Sequence, residues 1–283
     1  MGHSDPKILV STHWLAENLS NPALRILDGS WHLPTEKRDP FAEYKTDHIT
    51  GAQFFDIDGI SDTSSNLPHM VPPADQFARQ VADLGISNDN QVIVYDTQGL
   101  FSAPRVWWLC RYFGLDNIAV LDGGLPKWKT EGHPTSTIPT IPITGTVCVT
   151  AKDPLVRNAV QVLKASTSHE VQVVDARAPA RFNGNAPEPR AGLRAGRIPN
   201  SKNVFFKSLL NADGTLKPNT ELTAIFKAQG VDLNRPIITS CGSGVTASVL
   251  ALALQKIGHT NHALYDGSWT EWGALHDYPI EQG

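Results

Sequence analysis

The chain contains two copies of one sequence pattern, and this internal duplication constrains its fold more than any other feature. Residues 91–103 read as a β-rich strand, a short glycine-containing loop and a helix, and residues 236–248 repeat that order. An Asp-Gly pair follows each copy, at residues 122–123 and 266–267. A chain of 283 residues also exceeds what one hydrophobic core usually organises. We therefore expect two domains of the same fold.

The strands and helices of each half alternate along the chain. Residues 24–28 and 171–175 are equivalent apolar strands that both end on aspartate, and residues 103–113 and 246–257 are equivalent helical stretches. Strands that alternate with helices are typical of parallel sheets. The sequence therefore predicts an α/β fold with two tandem domains, each a mainly parallel sheet flanked by helices.

A proline-rich segment separates the two copies. Prolines at 134, 139 and 142 favour extended backbone and cannot continue a helix or a central strand. We predict a non-catalytic N-terminal domain, a linker and a catalytic C-terminal domain at residues 1–132, 133–147 and 148–283.

Cys241 ends the apolar strand of the second copy, and Gly242-Ser243-Gly244 and a helical stretch follow it. The glycines permit a tight turn whose N–H groups point inward, and the positive end of the helix adds to the field at the sulfur. Such a position stabilises the nucleophilic thiolate. The alternative, a buried core cysteine, does not require this glycine-rich loop. We predict that Cys241 is the catalytic nucleophile.

The first copy has Asp96 where the second has Cys241. A carboxylate cannot act as a sulfur nucleophile, so we interpret this copy as a scaffold that closes the other copy's pocket. Residues 97–99 lack paired glycines, and we expect their amides not to converge. By that reasoning, Asp96→Cys would not create a second reactive sulfur.

Composition excludes several classes of partner and cofactor. A net charge of -4 and a pI near 6.2 provide no broad basic field, so we expect no nucleic acid partner. Three cysteines without a CxxC pair argue against a disulfide framework or a cysteine zinc site and favour a reducing compartment. No apolar run reaches about eighteen residues, so we expect no membrane span. Residues 1–7 lack the pattern of a signal or transit peptide. We expect the cytoplasm, with the mitochondrion as the alternative.

These features together resemble the rhodanese superfamily, whose tandem members are sulfurtransferases, over essentially the whole chain. Residues 241–247, Cys-Gly-Ser-Gly-Val-Thr-Ala, are similar to the loop of the 3-mercaptopyruvate sulfurtransferases, whereas thiosulfate-preferring rhodaneses carry basic residues just after the cysteine. The resemblance implies that Cys241 takes sulfane sulfur from 3-mercaptopyruvate as a persulfide and releases pyruvate. The acceptor would be a thiol such as reduced thioredoxin, or cyanide.

The same loop is expected to hold the persulfide without a metal or an organic cofactor. Backbone N–H groups of the loop would stabilise the charge on the outer sulfur, and they come from the stretch that contains Gly242, Gly244, Val245 and Thr246.

Two arginines are candidates for binding the substrate. By resemblance, Arg181 and Arg190 match the arginines that hold the substrate's carboxylate and carbonyl, for which planar guanidinium groups are suited. The alternative is that both are solvated loop charges or partners of Glu188. Arg177 lies two residues from Asp175, so we expect a structural pair there.

A proton relay is the last part of the expected site. Breaking the carbon–sulfur bond leaves an enolate that must be protonated. The resemblance suggests that Asp62 and His69 reach Ser243, which is close to the thiol, and complete a relay. The alternative for His69 is a packing role.

Three other functions compete with this interpretation. A thiosulfate sulfurtransferase would need cations near the loop, and residues 242–244 supply none. A phosphatase of this fold would end its loop on arginine, and this loop reaches Thr246 without one. A non-enzymatic interaction module would be expected to lose the cysteine in both copies.

Overall fold

The structure is a computed structural model that describes residues 8–168 and 170–283. Its described residues fall into two compact units. The first unit contains the residues up to Thr63, together with Val71–Lys152 and Asn211–Leu216. The second contains Ser64–Met70, Asp153–Leu210 and Lys217–Gly283. Residues 1–7, on which the prediction of location depends, lie outside the described part.

The first unit contains a five-stranded parallel sheet in the order β1-β6-β5-β2-β4. A separate antiparallel pair joins β3 to β7, so the start of the predicted linker includes a short strand. The elements of this unit, in chain order, are β1 (Leu9–Val10), α1 (Thr12–Asn18), β2 (Leu24–Asp28), α2 (Pro40–Thr46), β3 (His48–Ile49), β4 (Gln53–Phe54), α3 (Ala74–Asp83), β5 (Gln91–Tyr95), α4 (Ala103–Tyr112), β6 (Ile118–Leu121), α5 (Gly124–Thr130) and β7 (Thr135–Ser136).

The second unit contains another five-stranded parallel sheet. Its elements are β8 (Val156–Arg157), α6 (Ala159–Ser168), β9 (Gln172–Asp175), α7 (Pro179–Phe182), β10 (Lys202–Asn203), α8 (Asn219–Ala228), β11 (Ile237–Ser240), α9 (Ala247–Lys256), β12 (His262–Tyr265) and α10 (Ser268–Trp272). The strand order, β8-β12-β11-β9-β10, is the order of the first sheet with each strand replaced by its counterpart.

The register confirms that the two sheets are equivalent. Asp28 pairs with Tyr95 in the first sheet, and Asp175 pairs with Ser240 in the second. The residues that follow these partners, Asp96 and Cys241, therefore occupy the same place in their sheets. The predicted fold class, two α/β domains with parallel sheets, is confirmed.

Each sheet is apolar because helices cover both of its faces. Core clusters of the two units include Ile26, Ile93 and Trp128 in the first and Val173 and Ile238 in the second, all buried. Among the described residues, no helix has the length and apolar character needed to cross a membrane.

Candidate active site

Cys241 lies directly after β11, at the carboxyl edge of the second sheet where ligands of parallel sheets bind. Cys241 is buried, with only 2% of its surface exposed. The loop that follows turns at Gly244, whose φ of +82° is a conformation that glycine adopts without strain. The helix α9 then begins at Ala247. The strand, the loop and the helix start predicted around this cysteine are all present.

Ser268 holds the cysteine loop in place from the neighbouring strand end. Its Oγ accepts hydrogen bonds from the N–H groups of Cys241 at 3.1 Å and Gly244 at 3.2 Å, and it donates to the carbonyl of Tyr265 at 2.9 Å. The N–H of Trp269 donates to the carbonyl of Cys241 at 2.9 Å. The sequence did not predict this role, because the Asp-Gly pair at residues 266–267 indicated only that the pattern is duplicated and gave no contact to the cysteine loop.

The remaining amides of the loop are available to an anion. Within residues 8–168 and 170–283, the N–H groups of Gly242, Ser243, Val245 and Thr246 donate to no acceptor. The N–H of Gly244 is used by Ser268 and cannot serve the same purpose. The loop thus follows the thiol of Cys241 directly and contains four N–H groups that have no acceptor in the described part of the chain.

The first copy shows what this kind of loop does with an anion. The Oδ2 atom of Asp96 accepts N–H groups of Phe101 at 2.8 Å and of Ser102 and Ala103 at 2.9 Å, and its Oδ1 atom accepts the N–H of Gln98 at 2.9 Å. Several amides of the first copy therefore do converge without paired glycines, although only that of Gln98 belongs to residues 97–99. One glycine in the left-handed region, residue 99 with φ of +108°, together with the start of α4 is sufficient to bring them together.

His69 contacts Ser243 within the second unit. Its Nδ1 atom lies 3.0 Å from Oγ of Ser243 and 3.2 Å from the carbonyl oxygen of the same residue. Both residues are buried, at 3% and 5% exposure. His69 has a φ of +62°, which is uncommon for a residue other than glycine. Asp62 belongs to the first unit, and its membership of the relay stays a prediction.

Arg181 lies beside the cysteine loop and is paired with Glu188. Its Nε atom donates to Oε2 of Glu188 at 3.1 Å, and its Nη2 atom contacts the same oxygen. A Cβ atom at Gly242 would lie 3.2 Å from Nη2 of Arg181, so the absence of a side chain there leaves room for the guanidinium. Arg190 is half-buried two residues beyond Glu188. Arg181 therefore both pairs with Glu188, which is the alternative role, and lies close to the loop.

Arg177 is a structural residue, as its neighbour Asp175 suggested. Its Nη2 atom donates to Oδ2 of Asp175 and to the carbonyl of Gly196, both at 2.8 Å, and its guanidinium lies 4.3 Å from the ring centroid of Trp269. Burial alone would lower the pKa of Arg177, but the negative charges of Asp175 and Glu188 have the larger effect and raise this pKa above its usual value.

The other two cysteines lack such surroundings. All three cysteines are free thiols. Cys110 is buried in α4, and burial raises the pKa of its thiol to about 12, so it stays protonated at neutral pH. Cys148 is exposed and follows no strand end. No cluster of three His, Cys, Asp or Glu side chains suited to a metal ion occurs in the part of the chain that the structure describes.

The duplicated sheets and the cysteine loop define a tandem protein of the rhodanese type, and the chain belongs to the Rhodanese-like domain family. The sequence profile of that family matches twice, at residues 11–131 and 158–275.

Several relatives cover nearly the whole chain. The 3-mercaptopyruvate sulfurtransferase of Escherichia coli K12 is 43% identical over 96% of this chain and 97% of its own. The Arabidopsis thaliana protein named thiosulfate/3-mercaptopyruvate sulfurtransferase 1, mitochondrial, is 43% identical over 96% of this chain and 78% of its own. The thiosulfate sulfurtransferase of Rattus norvegicus is 44% identical over 94% of this chain and 92% of its own.

A crystal structure agrees with this classification. The 3-mercaptopyruvate sulfotransferase SseA of Escherichia coli superimposes with a TM-score of 0.86 at 40% identity, and the match covers 92% of this chain and 98% of the other.

Proposed function

We propose that the protein moves sulfane sulfur from 3-mercaptopyruvate, through a persulfide on Cys241, to a thiol acceptor or cyanide, and releases pyruvate. The observation that carries the proposal is a buried cysteine at a strand end followed by a loop with four unsatisfied N–H groups. Relatives of 43% identity that carry the name of this activity support it.

The first half-reaction transfers one sulfur atom. The thiolate of Cys241 attacks the sulfur of the substrate, so an S–S bond forms and the C–S bond breaks. The electron pair of the broken bond remains on the enolate of pyruvate. The proton from the substrate's S–H group then moves to the enolate carbon, which gives pyruvate and an anionic persulfide. Donors of the loop stabilise the outer sulfur as its charge develops.

Ser243 and His69 are the groups that we assign to proton movement. Their 3.0 Å contact is short enough for a proton to pass between hydroxyl and imidazole. Ser243 lies two residues from the reacting sulfur, and burial of both side chains keeps bulk water away from the proton. Asp62 is the third member of the proposed relay.

The second half-reaction restores the enzyme. An acceptor thiolate attacks the outer sulfur of the persulfide and leaves as a persulfide of its own, while Cys241 regains its thiolate. Cyanide attacks in the same way and leaves as thiocyanate. Reduced thioredoxin is the proposed acceptor, since it presents a reactive thiolate.

Arg181 and Arg190 are proposed to bind the keto acid. Arg181 keeps both N–H groups of Nη1 and one of Nη2 unused by the rest of the described chain, and its side chain is 20% exposed. A planar pair of donors of this kind suits a carboxylate. Thiosulfate is the second candidate donor, because relatives of 44% identity carry that name. The loop residues 242–246 contain no cation, which favours the keto acid.

Donor preference and persulfide formation test the proposal. One enzyme preparation is assayed for pyruvate from 3-mercaptopyruvate and for thiocyanate from thiosulfate, each with cyanide as acceptor. Intact mass after treatment with donor alone should show one added sulfur on wild type, Cys110→Ser and Cys148→Ser, and none on Cys241→Ser. A persulfide on Cys241→Ser would contradict the assignment of the nucleophile.

The cytoplasm is the proposed location. Three free cysteines fit a reducing compartment. Fractionation of cells that produce the protein with its native N-terminus would decide between the cytosol and the mitochondrion.

A further inference from the structure

Glu188 connects two arginines at the edge of the site. Its Oε1 atom accepts from Nη1 of Arg177 at 2.7 Å, and its Oε2 atom accepts from Nε of Arg181 at 3.1 Å. The side chains of Glu188 and Arg177 are 2% and 1% exposed, whereas that of Arg181 is 20% exposed. One carboxylate therefore joins a fixed, buried guanidinium to one that borders the cysteine loop.

The fixed end of this connection is firmly held. Arg177 donates to Asp175, to the carbonyl of Gly196 and to Glu188, and it stacks on Trp269. Trp269 follows Ser268, whose hydroxyl holds the cysteine loop. Arg177 thus positions Glu188 with respect to the same turn that positions Cys241.

The geometry at the other end leaves one edge of Arg181 open. A guanidinium can present two donors along its Nε–Nη2 edge or along its Nη1–Nη2 edge. Glu188 occupies the first edge, and the second has no acceptor among the residues that the structure describes. An arginine side chain without such an anchor loses more rotamer entropy on binding a ligand.

We propose that Glu188 is a positioning residue that aims the Nη1–Nη2 edge of Arg181 at the carboxylate or carbonyl of the keto acid. The proposal rests on the proposed function. Glu188 also supplies the negative charge that allows two guanidinium groups to share one site, because Asp175 neutralises only Arg177. Glutamine would accept from one arginine and present its NH₂ group to the other.

A double-mutant cycle tests this role. Glu188→Gln should raise KM for 3-mercaptopyruvate about tenfold, the change expected when one charge-assisted contact is lost, with a smaller effect on kcat. In an Arg181→Lys background the same change should alter KM by less than about twofold, because the residue through which Glu188 acts is already gone. Glu221→Gln, on the exposed face of α8, is the matched control and should leave KM unchanged.

Two further measurements separate positioning from folding. Glu188→Asp keeps the charge but shortens the side chain, and it should give an intermediate KM, which a purely electrostatic role would not. Saturating donor should still add one sulfur to Cys241 in each folded variant. Equal effects of Glu188→Gln in the wild-type and Arg181→Lys backgrounds would overturn the inference. Wild type that forms no pyruvate would instead overturn the proposed function.

Discussion

Asp28 and Asp175 end equivalent strands, but among the residues that the structure describes Asp175 pairs with Arg177 and Asp28 pairs with no cation. Asp28 is fully buried, and its Oδ1 atom accepts the N–H of Ser30 at 2.9 Å. Burial raises the pKa of Asp28 from 3.8 to about 6, although hydrogen bonds from Ser30 and Tyr95 oppose the rise. The folded protein therefore holds this proton at a higher pH than the unfolded chain does.

The sign of the effect on stability follows from proton binding. Between 3.8 and about 6 the folded state binds more protons than the unfolded state, so the contribution of Asp28 to stability falls as pH rises through this range. At about 1.4 kcal/mol for each pH unit, the total change is about 3 kcal/mol. Asp28→Asn removes the charge and retains an oxygen for the N–H of Ser30. The unfolding free energy of the variant relative to wild type should rise by about 3 kcal/mol between roughly pH 4 and pH 7.

Urea unfolding at a series of pH values measures this difference. Asp175→Asn is the matched control, because it leaves the buried guanidinium of Arg177 with less compensation and should destabilise the protein at every pH by about 3 kcal/mol. If the difference between wild type and Asp28→Asn is the same at both ends of the range, ionisation of Asp28 does not limit stability and the reasoning fails.

Substitutions at four other positions have defined outcomes. Asp96→Ala removes the acceptor of four N–H groups and should lower the free energy of unfolding by about 3 kcal/mol or more. Asp96→Asn should lower it by less. An unchanged thermal midpoint for the alanine variant would show that water replaces the carboxylate. Ser268→Ala removes the acceptor of two loop amides, so the free energy of unfolding in denaturant should fall by about 1–3 kcal/mol. Intact mass should also show a lower yield of persulfide. A normal yield would mean that the loop keeps its conformation without the hydroxyl. Arg181→Lys and Arg190→Lys keep the charge but lose the planar guanidinium group. Each should lower kcat/KM for 3-mercaptopyruvate about ten- to hundredfold with little change in thermal stability. Wild-type kcat/KM in both variants would mean that other residues bind the substrate's carboxylate.

Local sequence was sufficient to predict the fold because each signal acts over a few residues. The apolar strands, the glycines and the duplicated order placed α4 and α9 correctly, and the predicted ends at Phe113, Thr246 and Ile257 are the capping residues of those helices. The cysteine loop was predicted for the same reason, since its glycines follow the nucleophile directly.

The supporting contacts could not be predicted because they join residues far apart in sequence. Ser268 reaches the N–H of Cys241 across 27 residues, and His69 reaches Ser243 across 174. The convergence of amides on Asp96 was not predicted for a different reason. Counting glycines ignored the N–H groups at the start of α4, which have no partner within the helix and supply two of the four donors, those of Ser102 and Ala103.

The Asp96 carboxylate has the same connectivity as a cysteine persulfide. Its charged oxygen is two bonds from Cβ, as is the outer sulfur of Cβ–Sγ–Sδ. The first copy therefore satisfies its loop amides once, when it folds. Under the proposed function, the second copy does so only while it carries sulfur. The duplication has thus produced one domain that permanently resembles the loaded enzyme and one that reaches that state and leaves it in every turnover.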